Sequence, residues 1–109
     1  MIRRLSLFYA ARDLPRAREL FAAAVDVEFA VECNLEALTY FAASLSSGAM
    51  LELWPAAGLS PTRVQLEFTV PNLDAAAERL TRAGFEVRRL AGTVLVIDPA
   101  GNSVALTAA

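Results

Sequence analysis

The stretch SLFYAARDL at positions 6–14 aligns without a gap with QLEFTVPNL at positions 65–73. Each copy is an alternating run of side chains, which is the period of a β-strand. Each copy then reaches Asp or Asn, the residues that commonly begin helices, and an apolar pattern of helical spacing follows. The chain therefore contains one unit twice, and each unit begins with a strand and a helix.

Each unit continues from its first strand into a helix and three further strands. We predict the helices over 14–24, with Asp13 as N-cap, and over 73–83, with Asn72 or Asp74 as N-cap and Gly84 at the C-terminal end. Short runs bounded by turn residues predict strands over 27–31, 37–43, 49–54, 85–89, 93–97 and 103–107.

These elements predict an α+β fold of two tandem βαβββ modules, 1–55 and 63–109, joined by a linker at 55–61. At 109 residues we expect a single domain. A helix covers one face of each half-sheet, so we expect the helices outside and the free faces forming a cup inside a curved mixed sheet.

Composition excludes several classes of function. The net charge of −2 and the lack of a basic stripe argue against nucleic acid. No run approaches the ~20 apolar residues of a membrane helix, and no signal segment is apparent. Cys33 is the only cysteine, so no intramolecular disulfide is expected and a reducing cytoplasm fits.

Strand alternation indicates which side chains face the cup. The opposite faces are uniformly apolar and are expected to lie under the helices. Tyr40 joins the cup-facing set if its strand has the matching register. The candidate binding residues are Ser6, Phe8, Tyr40, Met50, Glu52, Trp54, Gln65 and Glu67.

Five motifs, in this order, resemble the vicinal oxygen chelate superfamily of glyoxalases, ring-cleaving dioxygenases, fosfomycin-modifying enzymes and bleomycin-resistance proteins. They extend over nearly the whole chain, and the turn before the last strand is the most specific. They are RDLPRAR at 12–18 with Phe21, LEL at 51–53, PNLDAA at 71–76, GFEV at 84–87 and DPAGN at 98–102.

The resemblance implies four metal-ligand positions, one on each of four strands. They are occupied here by Ser6, Glu52, Gln65 and Ala105, and the chain has no histidine. Transition metals are held by imidazole, thiolate and carboxylate groups, so we expect no metal and no other cofactor. The alternative is a weak Mg or Mn site formed by Glu52 and Glu67.

We therefore expect a metal-independent protein that binds and sequesters a small drug or metabolite, as the bleomycin-resistance branch does. A planar or cationic ligand would suit the aromatic side chains beside Glu52 and Glu67. The alternative is a glyoxalase-like lyase or isomerase, or another metal-dependent enzyme, using Glu52. A third reading is a degenerate interaction domain whose cup is filled by side chains.

A homodimer is expected in each case. The resemblance implies two-fold dimers, often with halves of two chains completing each cup. Each half-sheet also has an open edge, and pairing would cover it. The short linker at 56–60 would permit exchange of half-modules between the two chains.

Overall fold

The computed structural model describes all residues from Met1 to Ala109 and contains two helices and eight strands. In chain order they are β1 (Arg4–Tyr9), α1 (Leu14–Val25), β2 (Ala30–Cys33), β3 (Thr39–Ser44), β4 (Met50–Pro55), β5 (Gln65–Val70), α2 (Leu73–Arg82), β6 (Arg88–Leu90), β7 (Thr93–Ile97) and β8 (Ser103–Ala108). No helix is both long and apolar enough to cross a membrane.

The strands form two four-stranded mixed sheets with the same topology. Their orders are β1-β4-β3-β2 and β5-β8-β7-β6, with the first pair of each sheet parallel and the other pairs antiparallel. The predicted α+β fold of two βαβββ modules is therefore confirmed. The strands β1 and β5 each pair with one neighbour only, so backbone pairing does not join the two sheets.

Two strand predictions were displaced. We predicted strands over 27–31 and 85–89, but β2 begins at Ala30 and β6 at Arg88. Both are outer strands, and every residue of both is exposed. Since neither of these two strands has a buried face, the hydrophobic pattern marks their ends poorly.

The two helices begin differently. Asn72 caps α2 as predicted, with its side chain accepting a hydrogen bond from the amide of Ala75. Asp13 occupies the N-cap position of α1 as predicted, but its side chain makes no capping hydrogen bond. Instead one turn of 3₁₀ helix at Ala11–Asp13 leads into α1. Gly84 takes the left-handed conformation after α2 (φ 87°), which glycine adopts without a Cβ clash.

The helices are joined by two reciprocal arginine contacts. Arg16 near the start of α1 donates to the carbonyl of Ala83, just after α2, at 2.8 Å. Arg79 of α2 donates to the carbonyl of Ala23, near the end of α1, at 2.7 Å. Cations at the C-terminal carbonyls of helices are favourable, so each helix stabilises the end of the other.

One apolar core spans both modules. Its eighteen buried residues include Leu7, Leu20 and Phe21 of the first module and Leu80 and Leu106 of the second. The strand residues among them, such as Leu7 and Leu106, lie on the faces predicted to be apolar. The inward faces of both modules are therefore used for stability, which leaves the opposite strand faces to carry a site.

Candidate functional site

Three aromatic side chains lie side by side on the free face of the first sheet. The rings of Tyr40 and Trp54 are stacked, with centroids 3.8 Å apart and planes 7° from parallel. Phe8, opposite Trp54 in the strand register, has its centroid 6.4 Å from that of Trp54 and its plane tilted by 30°. β3 thus has the register that turns Tyr40 toward the predicted set.

A buried carboxylate lies beside this row. Glu52 of β4 is only 5% exposed. Its Oε1 accepts hydrogen bonds from Ser6 Oγ at 3.1 Å and from the indole nitrogen of Trp54 at 3.0 Å. Its Oε2 lies 3.2 Å from Nε of Arg4. A buried charge is costly unless it is paired and hydrogen-bonded. Here Arg4 provides the ion pair, and Ser6 and Trp54 provide the hydrogen bonds.

Strand alternation explains why these residues meet. Ser6 pairs with Glu52, and Arg4 precedes Ser6 by two positions, so all three side chains emerge on the same face. The side chains of Leu7, Tyr9, Leu51 and Leu53 point the other way and are buried. We call the surface formed by Arg4, Ser6, Phe8, Tyr40, Glu52 and Trp54 the aromatic face.

The predicted Met50 lies at the margin of the aromatic face. It pairs with Arg4 across the parallel strands, and its sulfur accepts a hydrogen bond from Ser44 Oγ at 3.4 Å. At the other margin, Glu32 of the exposed strand β2 pairs with Tyr40. Apolar and charged side chains therefore surround the aromatic row.

The two remaining predicted residues, Gln65 and Glu67, are on the second sheet. Both are exposed, and neither side chain makes a hydrogen bond within the chain. Ser6, which would have met Gln65 if the sheets joined there, bonds to Glu52 instead. The structure thus groups six candidates on the first sheet and leaves these two apart from them.

Glu67 lines a cleft of about 650 Å³ that the aromatic face does not share. The cleft lies between the β3–β4 turn, the C-terminal end of α1 and the outer strand β5. Glu67 and Thr69 line it, while Ser6, Phe8, Glu52 and Trp54 do not. A single chain therefore does not enclose all the predicted residues in one pocket.

The residues at the expected metal positions do not fit a metal. Glu52 is engaged by three partners, and no group of three or more His, Cys, Asp or Glu side chains could hold an ion. The register also places Ser103, rather than Ala105, opposite Gln65, where the first module has Glu52 opposite Ser6. Neither Ser103 nor Ala105 supplies a carboxylate.

Sequence reasoning missed Arg4. It was outside the candidate set, although it shares the alternation of Ser6 and Phe8 and could have been found by extending that pattern two residues back. Its side chain is 66% exposed while that of Glu52 is 6% exposed. The charged group that solvent meets on this face is therefore a guanidinium rather than a carboxylate.

Comparison with protein families and with characterised protein sequences finds no match. Solved structures of the same fold are numerous. The antibiotic-binding protein TnmS3 from a Streptomyces species has a TM-score of 0.71 at 16% identity, covering 99% of this chain and 94% of that one. A possible glyoxalase from Bacillus cereus has a TM-score of 0.69 at 20% identity, covering 98% and 97%.

The fosfomycin resistance protein FosX from Listeria monocytogenes is a third similar structure, with a TM-score of 0.67 at 11% identity, covering 100% of this chain and 91% of that one. The chain therefore has the fold of the vicinal oxygen chelate superfamily, as its motifs predicted. The three similar structures are described as an antibiotic-binding protein, a possible glyoxalase and a fosfomycin resistance protein, so the fold alone does not assign an activity.

Proposed function

We propose that this protein binds and sequesters a small aromatic molecule on the aromatic face, without a metal and without changing the molecule chemically. The engagement of the Glu52 carboxylate by Arg4, Ser6 and Trp54 is the observation that carries the proposal. A carboxylate used in this way organises its neighbours instead of serving as a metal ligand or a free base.

The aromatic row supports binding of a flat molecule. Aromatic side chains supply large contact areas at little entropic cost, and stacked or tilted pairs add about 0.5–1.5 kcal/mol each. Phe8 is 37% exposed, which leaves part of its ring available for contact. The similarity to an antibiotic-binding protein supports a small-molecule ligand.

We further propose that a second copy of the chain completes the site. One chain leaves Gln65 and Glu67 exposed and apart from the aromatic face, and β1 and β5 are both outer strands. A homodimer, with or without exchanged half-modules, would bring the second sheet of one chain over the first sheet of its partner. Light scattering after size exclusion measures the number of chains in the particle. A monomer at micromolar concentration would contradict the proposed dimer.

Ligand binding is tested by thermal denaturation against a panel of aromatic antibiotics. A compound at 100 times its dissociation constant should stabilise the protein by about 2.7 kcal/mol. The compound should be recovered unchanged after incubation, and a chelator should not alter the shift. The matched variant Trp54→Leu should lose the stabilisation, whereas Leu59→Ala, on the exposed linker, should retain it.

Chemical conversion of the compound, or stoichiometric metal in the dialysed protein, would favour the lyase or isomerase alternative over sequestration. No stabilisation by any aromatic compound would contradict the proposed function itself.

A further inference from the structure

We propose that Arg4 selects the ligand, so that the aromatic face takes a flat ring bearing an anionic or carbonyl oxygen in preference to a cation. This inference rests on the proposed function and names the chemical class of ligand for that site. The sequence predicted a planar or cationic ligand beside Glu52 and Glu67, and this inference keeps the planar ring but replaces the cation with an oxygen acceptor.

Arg4 already compensates the charge of Glu52 on the aromatic face. Glu52 is the only acidic residue within the aromatic face, and its charge is compensated by Arg4 at 3.2 Å. Its two oxygens already have three partners, and its side chain is 6% exposed. A ligand cation would therefore have to displace Arg4 before it could pair with Glu52.

The guanidinium of Arg4 has hydrogen-bond donors that the chain does not use. Nε of Arg4 contacts Glu52, while its terminal nitrogens donate no hydrogen bond within the chain, and its side chain is 66% exposed. A guanidinium has five N–H donors, so several remain for a ligand. Carboxylates and other oxygen anions are the partners that its planar geometry matches best.

Glu52 holds the guanidinium of Arg4 close to the aromatic rings. Oε1 of Glu52 accepts from the indole of Trp54, and Oε2 contacts Arg4, so one carboxylate joins the stacking surface to the cation. One face of Trp54 is covered by Tyr40. The ring of Phe8 is 6.4 Å from that of Trp54 and tilted by 30°, so it does not stack on Trp54 as Tyr40 does. Phe8 is partly exposed, so a flat ring can contact it beside Trp54, near the donors of Arg4.

Glu32 is the residue that would favour a cationic ligand instead. It pairs with Tyr40 at the margin of the aromatic face. It is an exposed acid on an outer strand and has no arginine partner. If Glu32 bound the charged group of the ligand, the protein would prefer the cation over the anion. Matched anionic and cationic probes distinguish selection by Arg4 from attraction by Glu32.

The experiment measures binding of three matched probes, naphthoate, naphthamide and naphthylmethylammonium, by quenching of Trp54, the only tryptophan of the chain. We expect naphthoate to bind about tenfold more tightly than the cation, with naphthamide between them. A tenfold ratio is the effect expected from the free energy of one charge-assisted hydrogen bond. The preference should weaken with added salt.

Variants assign the preference to a residue. Arg4→Met should reduce the ratio to less than twofold, while Arg3→Met, an exposed arginine at the neighbouring position, should preserve it. Glu52→Gln should strengthen naphthoate binding severalfold because it removes the charge that opposes Arg4. Circular dichroism of each variant checks that the fold is retained.

Tighter binding of the cation, or a preference for naphthoate that survives Arg4→Met, would overturn this inference and leave the proposed binding function intact. If none of the three probes binds to the wild-type protein, while antibiotics in the thermal assay also fail, the proposed function itself is wrong.

Discussion

The hydroxyl of Tyr9 in the first module donates a hydrogen bond to Oδ2 of Asp98 in the second module, and both residues are buried. Asp98 also accepts from the amides of Ala100 and Asn102 and from the side chain of Asn102. The side-chain oxygen of Asn102 in turn accepts from the amide of Val64, where the linker meets β5. The conspicuous DPAGN turn therefore serves the contact between modules, and Tyr9 is the residue through which the first module joins it.

Removing this hydroxyl should destabilise the protein. We expect Tyr9→Phe to lower the free energy of unfolding by about 1.5–3 kcal/mol, the net value of a hydrogen bond to a charged group. Asp98 keeps three other donors, so the loss should stay in this range. Urea denaturation measures it, with Tyr40→Phe as control because the Tyr40 hydroxyl makes no hydrogen bond within the chain. Equal effects of the two substitutions would contradict the role of Tyr9.

The same contact predicts alkaline instability. Burial, reinforced by the hydrogen bond to Asp98 and by its negative charge, raises the pKa of Tyr9 well above its usual value of 10.0. Below pH 10 Tyr9 is protonated in both the folded and unfolded states and adds no pH dependence. Above pH 10 the unfolded state loses the proton and the folded state keeps it, so stability falls by about 1.4 kcal/mol per pH unit.

Denaturation at several alkaline pH values tests this prediction. The slope of stability against pH should be shallower for Tyr9→Phe than for the wild type, since Tyr9 no longer contributes. Tyrosinate absorbance should also show one of the two tyrosines ionising only as the protein unfolds. Identical slopes for the two proteins would be inconsistent with a Tyr9 that stays protonated.

The reciprocal helix contacts predict a second stability difference. Arg79→Met should destabilise the protein by about 0.5–2 kcal/mol, because the carbonyl of Ala23 loses its donor and the end of α1 loses a cation. Arg82→Met is the matched control on the same helix. Arg82 pairs only with Glu78, and both side chains are 71% exposed, so it should have little effect on the denaturation midpoint. A cost at Arg82 as large as at Arg79 would argue against the reciprocal caps.

One turn can be improved. Ala37 has φ 62°, the left-handed region, in a turn where the Asn34 side chain accepts from the amides of Glu36 and Leu38. Glycine adopts this conformation without a Cβ clash, so Ala37→Gly should stabilise the protein by about 0.5–1 kcal/mol. Ala30→Gly, in the exposed strand β2, should instead be neutral or destabilising. Thermal denaturation of both variants measures the effect. A lower midpoint for Ala37→Gly would contradict the predicted stabilisation.

The sequence by itself determined the duplicated βαβββ plan, because strand and helix periods repeat in both halves and depend only on local geometry. It also determined the buried faces, such as Leu7 and Leu53, since a one-residue change of register would expose every apolar side chain of a strand. The outer strands β2 and β6 were placed less well because no core contacts fix them.

Only the tertiary structure decided what the candidate residues do. Sequence alternation placed Glu52 and Trp54 on one face. It did not show that the indole and Arg4 would both contact the same carboxylate. It also could not show that Gln65 and Glu67 would lie apart from Ser6. The reason is physical: alternation sets the direction of a side chain, whereas hydrogen bonding and ion pairing depend on which strands pair and at what distance.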